Sequence, residues 1–94
     1  MEPTVCQRLR IEGRVQGVWY RAWTVETARS LGLRGWVRNR ADGSVEALVI
    51  GPATAVDAMV ERCRRGPPKA VVTAVHRAPD ADDGSAGFAQ RETE

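Results

Sequence analysis

Hydrophobic and polar positions alternate near the start of the chain. Across residues 5–12, Val5, Leu9 and Ile11 fall on one side and Arg8, Arg10 and Glu12 on the other, the period of two expected of a strand with one face in water. From 22 to 31 the spacing lengthens: Ala22, Val25, Ala28 and Leu31 make a helical stripe, and Gly32 stands where a glycine closes a helix. Residues 33–39 read as a second strand, with Leu33, Gly35 and Val37 on one face and Trp36 and Arg38 on the open one. Ala41-Asp42-Gly43-Ser44 is a tight hairpin signal, followed by a return strand over 44–50. Gly51-Pro52 breaks that strand and opens a helix. There Val56, Met59, Val60 and Cys63 recur at i, i+3, i+4 and i+7. Arg62, Arg64 and Arg65 suit its negative end, and Gly66-Pro67-Pro68 stops it. A valine-rich strand over 70–77, a flexible acidic loop over 79–84 and a short strand over 86–91 anchored by Phe88 complete the chain.

The resulting order is β-α-β-β-α-β with one extra short strand. It predicts an α+β fold, a ferredoxin-like α/β sandwich. Two helices would lie on one face of an antiparallel or mixed sheet of four to five strands. The alternation predicts a sheet covered on one side only. One domain over residues 1–94 is expected, with an ordered core over about 5–91.

Composition narrows the function. The charged share is 28% and the hydrophobic share 43%, ordinary for a globular domain. Net charge is only +2, low for a dedicated nucleic-acid binder. No run approaches the ~18 apolar residues that cross a bilayer, and the first residues lack the basic and apolar segments of a signal peptide. The cytoplasm is the expected compartment. Cys6 and Cys63 lack metal-ligand spacing and read as reduced thiols; the lone His76 adds no metal site. Asp80, Asp82 and Asp83 read as solvated, as do Arg62, Arg64 and Arg65.

The chemistry collects at one edge. In a βαβ crossover the first two strands run parallel, so their C-terminal ends share an edge of the sheet. The 13–20 loop leaves the first strand there, Asn39 ends the second, and the first helix begins there with free N–H groups and the positive end of its dipole. Arg21 stands at that helix start, where a cation opposes the dipole unless an anion lies between them. Gly13 and Gly17 let successive N–H groups turn inward as a nest, and the guanidinium supplies a planar fork matched to phosphate. From the residues alone two readings stay open, an anion cradle and a plain structural loop. Arg14 is equally a solvated loop residue or an aid to attracting anions. Gln16 is a candidate for holding the loop's own shape. Tyr20 and Trp23 read as packing, while Trp19 is open between packing and ligand.

Two stretches carry a resemblance. Gly13-Arg14-Val15-Gln16-Gly17-Val18-Trp19-Tyr20-Arg21 fits G-x-V-Q-G-V-x-[FY]-R. The run from Gly35 to Glu46, GWVRNRADGSVE, fits G-x-V-x-N-x-x-D-G-x-V-E. Together they resemble the acylphosphatase family over about residues 5–78, least clearly at the last strand. The resemblance implies a ferredoxin-like enzyme, with no metal and no cofactor. It would hydrolyse the carboxyl–phosphate bond of acyl phosphates to carboxylate and inorganic phosphate. It implies Arg21 as the phosphate-binding arginine and Asn39 as the residue orienting the nucleophilic water. The backbone of Val15, Gln16, Gly17, Val18, Trp19 and Tyr20 would form the phosphate loop. The expected partners are a small acyl phosphate and its phosphate product, with no nucleic acid and no membrane, and the chain acting as a monomer.

Two competing readings are a non-catalytic ferredoxin-like module binding anions or RNA, and a detached domain of a larger carbamoyl-transfer protein. The first would stack bases on the open sheet face. Few aromatics fall there, and no RNP-like run occurs.

Overall fold

The structure, a computed structural model, describes residues 2–94. Seven elements follow in order: β1 (Thr4–Arg14), α1 (Tyr20–Ser30), β2 (Arg34–Asn39), β3 (Val45–Pro52), α2 (Ala53–Arg65), β4 (Val71–Pro79) and β5 (Phe88–Gln90). The five strands form one sheet in the order β4-β1-β3-β2-β5. Every pairing is antiparallel except β2 with β5, where Gly35 faces Phe88 and Val37 faces Gln90. This is the expected ferredoxin-like sandwich, and β1 and β2 run parallel on either side of β3.

Both helices pack on one face of the sheet. Leu9, Ile11, Val37, Val45, Ala47 and Val49 meet Val56, Met59, Val60 and Cys63 of α2 in a single buried cluster. The α2 stripe is the one the i, i+3, i+4, i+7 spacing predicts. The α1 stripe holds in part: Ala28 is buried, and Val25 and Leu31 pack half-buried against the cluster. Its buried residues are Tyr20, Thr24 and Ala28, and Ala22 is exposed. The helix starts two residues earlier than the small-residue pattern indicates, and it turns an aromatic and a threonine inward. Thr24 is accommodated because its hydroxyl donates to the Tyr20 carbonyl at 2.7 Å.

The helix-free face, expected to be open, stays so at Arg8 and Arg10 of β1 but is covered over part of β2 and β3. Trp36 is 5% exposed, packed with Leu48 and Ile50. Arg38 and Arg91 each place their guanidinium carbon 4.7 Å from its ring centroid, and its indole N–H donates to Asp83 at 3.1 Å. The acidic loop is fastened over this face. Asp80 accepts from Arg8 at 2.7 Å, and Asp82 takes both terminal nitrogens of Arg34 at 3.2 and 2.5 Å. Beneath it the nearly buried Glu46 collects Arg38 at 2.7 Å, Arg8 at 3.2 Å and Arg40 at 3.4 Å. The three carboxylates are exposed, as expected, yet their pairing with Arg8, Arg34 and Trp36 fastens the loop beside a second, smaller core.

β1 ends in a bulge at Glu12 and Gly13, which turns the chain toward the sheet edge. A side chain at Gly13 would put its Cβ 2.1 Å from the Val71 carbonyl oxygen, and its φ is +124°. Only glycine fits so close an approach.

Candidate active site

The residues after the bulge are pinned by alternation. Val15, Val18 and Tyr20 are buried at 1%, 8% and 1% exposure, while Gly17 and Trp19 face out. The Gln16 amide donates to the carbonyls of Arg40 and Ser44 at 2.7 and 2.9 Å, fastening the loop to the β2–β3 hairpin. Tyr20 reaches across to α2, its hydroxyl donating to the Cys63 carbonyl at 2.6 Å. Burial, with the neighbouring Cys63 thiol adding, pushes the Tyr20 phenol far above its usual pKa, so it stays a neutral donor. The same burial pushes the Cys63 thiol up to about 12.

Gly17 has φ +73°, which turns the backbone into the helix. Trp19 follows at φ 67° and ψ 22° as the N-cap of α1. It is the one non-glycine residue with positive φ among those described, a conformation costing about 1–2 kcal/mol in a residue with a Cβ. Its side chain caps nothing, and the first turn contains no acid. The first N–H to find an acceptor within the helix is that of Trp23, on the Trp19 carbonyl at 3.0 Å. The N–H groups of Tyr20, Arg21 and Ala22 thus point out of the helix end without intrahelical partners. At α2 the same need is met by Glu2, which takes the N–H and hydroxyl of Thr54 at 3.2 and 2.8 Å.

A cavity of about 310 Å³ opens at this edge, lined by Val15, Gly17, Trp19, Tyr20, Arg21, Ala22, Asn39 and Gln90. Arg21 comes from the first turn of α1 and Asn39 from the last residue of β2, as the topology predicts. Gln16 and Val18 do not line it: one staples the loop and the other packs beneath it. Two features escaped the sequence. Gln90 of β5 forms one wall, and the Arg91 carbonyl accepts from Arg21 Nη1 at 3.1 Å. The residues after β5 go on along β2, with Arg91 N–H on the Val37 carbonyl at 2.8 Å and Glu94 N–H on the Asn39 carbonyl at 3.0 Å. No local signal ties residues 91–94 to Arg21 or Asn39; the parallel placement of β5 beside β2 brings them there.

A guanidinium fork and outward N–H groups at a dipole's positive end are suited to an oxyanion, while a carboxamide can donate and accept at once. Fold and cavity together define a ferredoxin-like sandwich with a guanidinium, a carboxamide and a helix N-terminus gathered at one edge.

Comparison with known proteins specifies which kind. The acylphosphatase profile matches residues 7–90. An acylphosphatase from Rhodospirillum rubrum is 60% identical over 83 residues, covering 88% of this chain and 91% of that protein. The acylphosphatase structure from Coxiella burnetii superposes with a TM-score of 0.90 at 31% identity, over 94% of this chain and 93% of that one. That from Bacillus subtilis gives 0.89 at 35% identity, over 93% and 98%. The chain belongs to the acylphosphatase family, hydrolases of acyl phosphates. No helix among the described residues is long and apolar enough to cross a membrane.

Proposed function

We propose that the cavity at the α1 end is where an acyl phosphate is cleaved, with Arg21 and Asn39 as its catalytic residues. The observation that carries this is the convergence of the Arg21 guanidinium, the uncapped end of α1 and the Asn39 carboxamide on one cavity. The phosphoryl oxygens sit between the guanidinium and the backbone N–H groups of the 15–20 loop, whose donors are fixed in place before substrate arrives. Preorganised donors of this kind stabilise the charge that spreads over the phosphoryl oxygens as the P–O bond lengthens.

Asn39 holds a water in line with the bond that breaks. The water oxygen attacks phosphorus, the bond from phosphorus to the acyl oxygen breaks, and the carboxylate departs with the electron pair. Because a carboxylate is a good leaving group, no acid is needed to protonate it. The proton of the water passes to a phosphoryl oxygen of the substrate. The lining contains no His, Asp, Glu, Cys or Lys to carry that proton. Positioning and electrostatics together can supply most of the barrier reduction, with about 7–11 kcal/mol available from orientation alone.

The chain acts as a monomer on a small substrate and not on nucleic acid. In support, Trp19 and Val71 are the exposed large hydrophobics among the described residues, and the one aromatic ring packed on the helix-free face, Trp36, is buried. Free Cys6 and Cys63, packed into clusters on opposite faces of the sheet, suit a reducing compartment such as the cytoplasm.

The test is hydrolysis of benzoyl phosphate by purified protein in EDTA. Wild type turns over and is inhibited by inorganic phosphate. Arg21→Ala loses at least about a thousandfold in kcat/KM together with phosphate inhibition. Asn39→Ala loses about a hundredfold or more in kcat and keeps phosphate inhibition. Full activity in Arg21→Ala would rule the mechanism out.

A further inference from the structure

We propose that Trp19 is the specificity-determining residue of this site, and that it selects acyl phosphates whose acyl group presents a flat apolar face. The inference rests on the function proposed above and names the class of substrate that site takes. Trp19 is 79% exposed, the most open large hydrophobic side chain among the described residues. It joins neither buried cluster, and the aromatic contact beside it is made by Tyr20 with Trp23 at 5.3 Å between centroids. Its backbone is left-handed, where glycine is the unstrained choice, and it occupies an N-cap where Ser, Thr, Asp or Asn would stabilise the helix. Neither folding nor capping gains from an indole here, and strain retained without a structural return points to a ligand.

The position says which part of the ligand. Trp19 lines the cavity together with Arg21 and Asn39. A phosphoryl group gripped by Arg21 and the α1 amides leaves its acyl substituent to extend toward open solvent, past the loop that bears Trp19. An aryl or similarly flat acyl group stacks on the indole face and covers it from water. An acetyl group is too small to do so.

The test compares kcat/KM for benzoyl phosphate and acetyl phosphate in wild type, Trp19→Gly and Trp19→Phe. In Trp19→Gly the benzoyl-to-acetyl ratio falls about tenfold. In Trp19→Phe, which keeps a ring, the ratio stays within about threefold of wild type. Should the glycine variant fold poorly, Trp19→Asn also tolerates the left-handed backbone and gives the same fall. A ratio unchanged in the glycine or asparagine variant overturns the assignment while leaving the proposed reaction standing. A wild type that hydrolyses neither compound overturns the reaction itself.

Discussion

The Gln16 side chain shows how a loop residue can shape a cavity without lining it. Its carboxamide spans from the loop to two carbonyls of the β2–β3 hairpin. That tie sets the distance between the amides that follow it and Asn39, which ends β2. Gln16→Ala removes both bonds, each worth about 0.5–1.5 kcal/mol. The expected loss is about 1–2 kcal/mol, a fall of about 5–10 °C in Tm, with KM for an acyl phosphate rising more than kcat falls. Thermal unfolding and steady-state kinetics on one preparation check both parts. At this scale much was legible: Arg21 and Asn39 follow from the motifs and the crossover rule, and both line the cavity. Gln90 and the Arg91 carbonyl were not, because they reach the site through a pairing of strands distant in sequence.

Helix α1 opens its first N–H groups at the cavity, and a bond at its first residue helps place it. Tyr20 sends its hydroxyl to the Cys63 carbonyl, one of the last-turn carbonyls of α2 that have no acceptor role inside their own helix. The two helices thereby satisfy each other at the end nearest the site. Tyr20→Phe leaves that buried carbonyl short of a donor and costs about 1–2 kcal/mol, read from the urea midpoint. An unchanged midpoint would show that the hydroxyl contributes nothing to the join. Sequence periodicity identified α2 well because its apolar stripe is unbroken. It caught only part of α1's inward face, Ala28 with Val25 and Leu31 beside it, because Tyr20 and Thr24 complete that face, and no hydropathy pattern marks a threonine whose hydroxyl is satisfied by its own helix. β5 is shorter than the expected strand over 86–91, with Phe88 as its buried anchor. Past Gln90 its backbone bonds to β2 continue outside regular strand.

For the molecule as a whole, the unexpected feature is the acidic strap over the helix-free face. Read along the chain, Asp80, Asp82 and Asp83 look like a solvated loop, since Arg34 lies 48 residues from Asp82. The carboxyl of Asp82 is held below its usual pKa first by Arg34 and then by the Gly84 N–H. Asp83 is lowered by Ser85, and Asp80 by the Ala81 N–H and then Arg8. A carboxyl whose folded pKa is depressed contributes stability that is complete above its unfolded value of 3.8 and is lost as pH falls through the folded one. Stability should therefore be flat on this account down to about pH 5 and drop below about pH 4. A variant with all three aspartates changed to asparagine should show a shallower drop. Urea midpoints measured from pH 7 to pH 3 decide it, and parallel curves for the two proteins would show that the strap holds nothing. High salt should weaken the same contribution, because these pairs are exposed.

Arg91 belongs to both faces: its guanidinium covers Trp36 on one side and its carbonyl steadies Arg21 on the other. Translation delivers this residue long after Arg21, so a nascent chain can assemble β1, α1, β2, β3 and α2 around an arginine whose backbone anchor is still inside the ribosome. Until that residue emerges, Arg21 lacks its carbonyl partner and Trp36 lacks one of the two guanidinium groups that cover it.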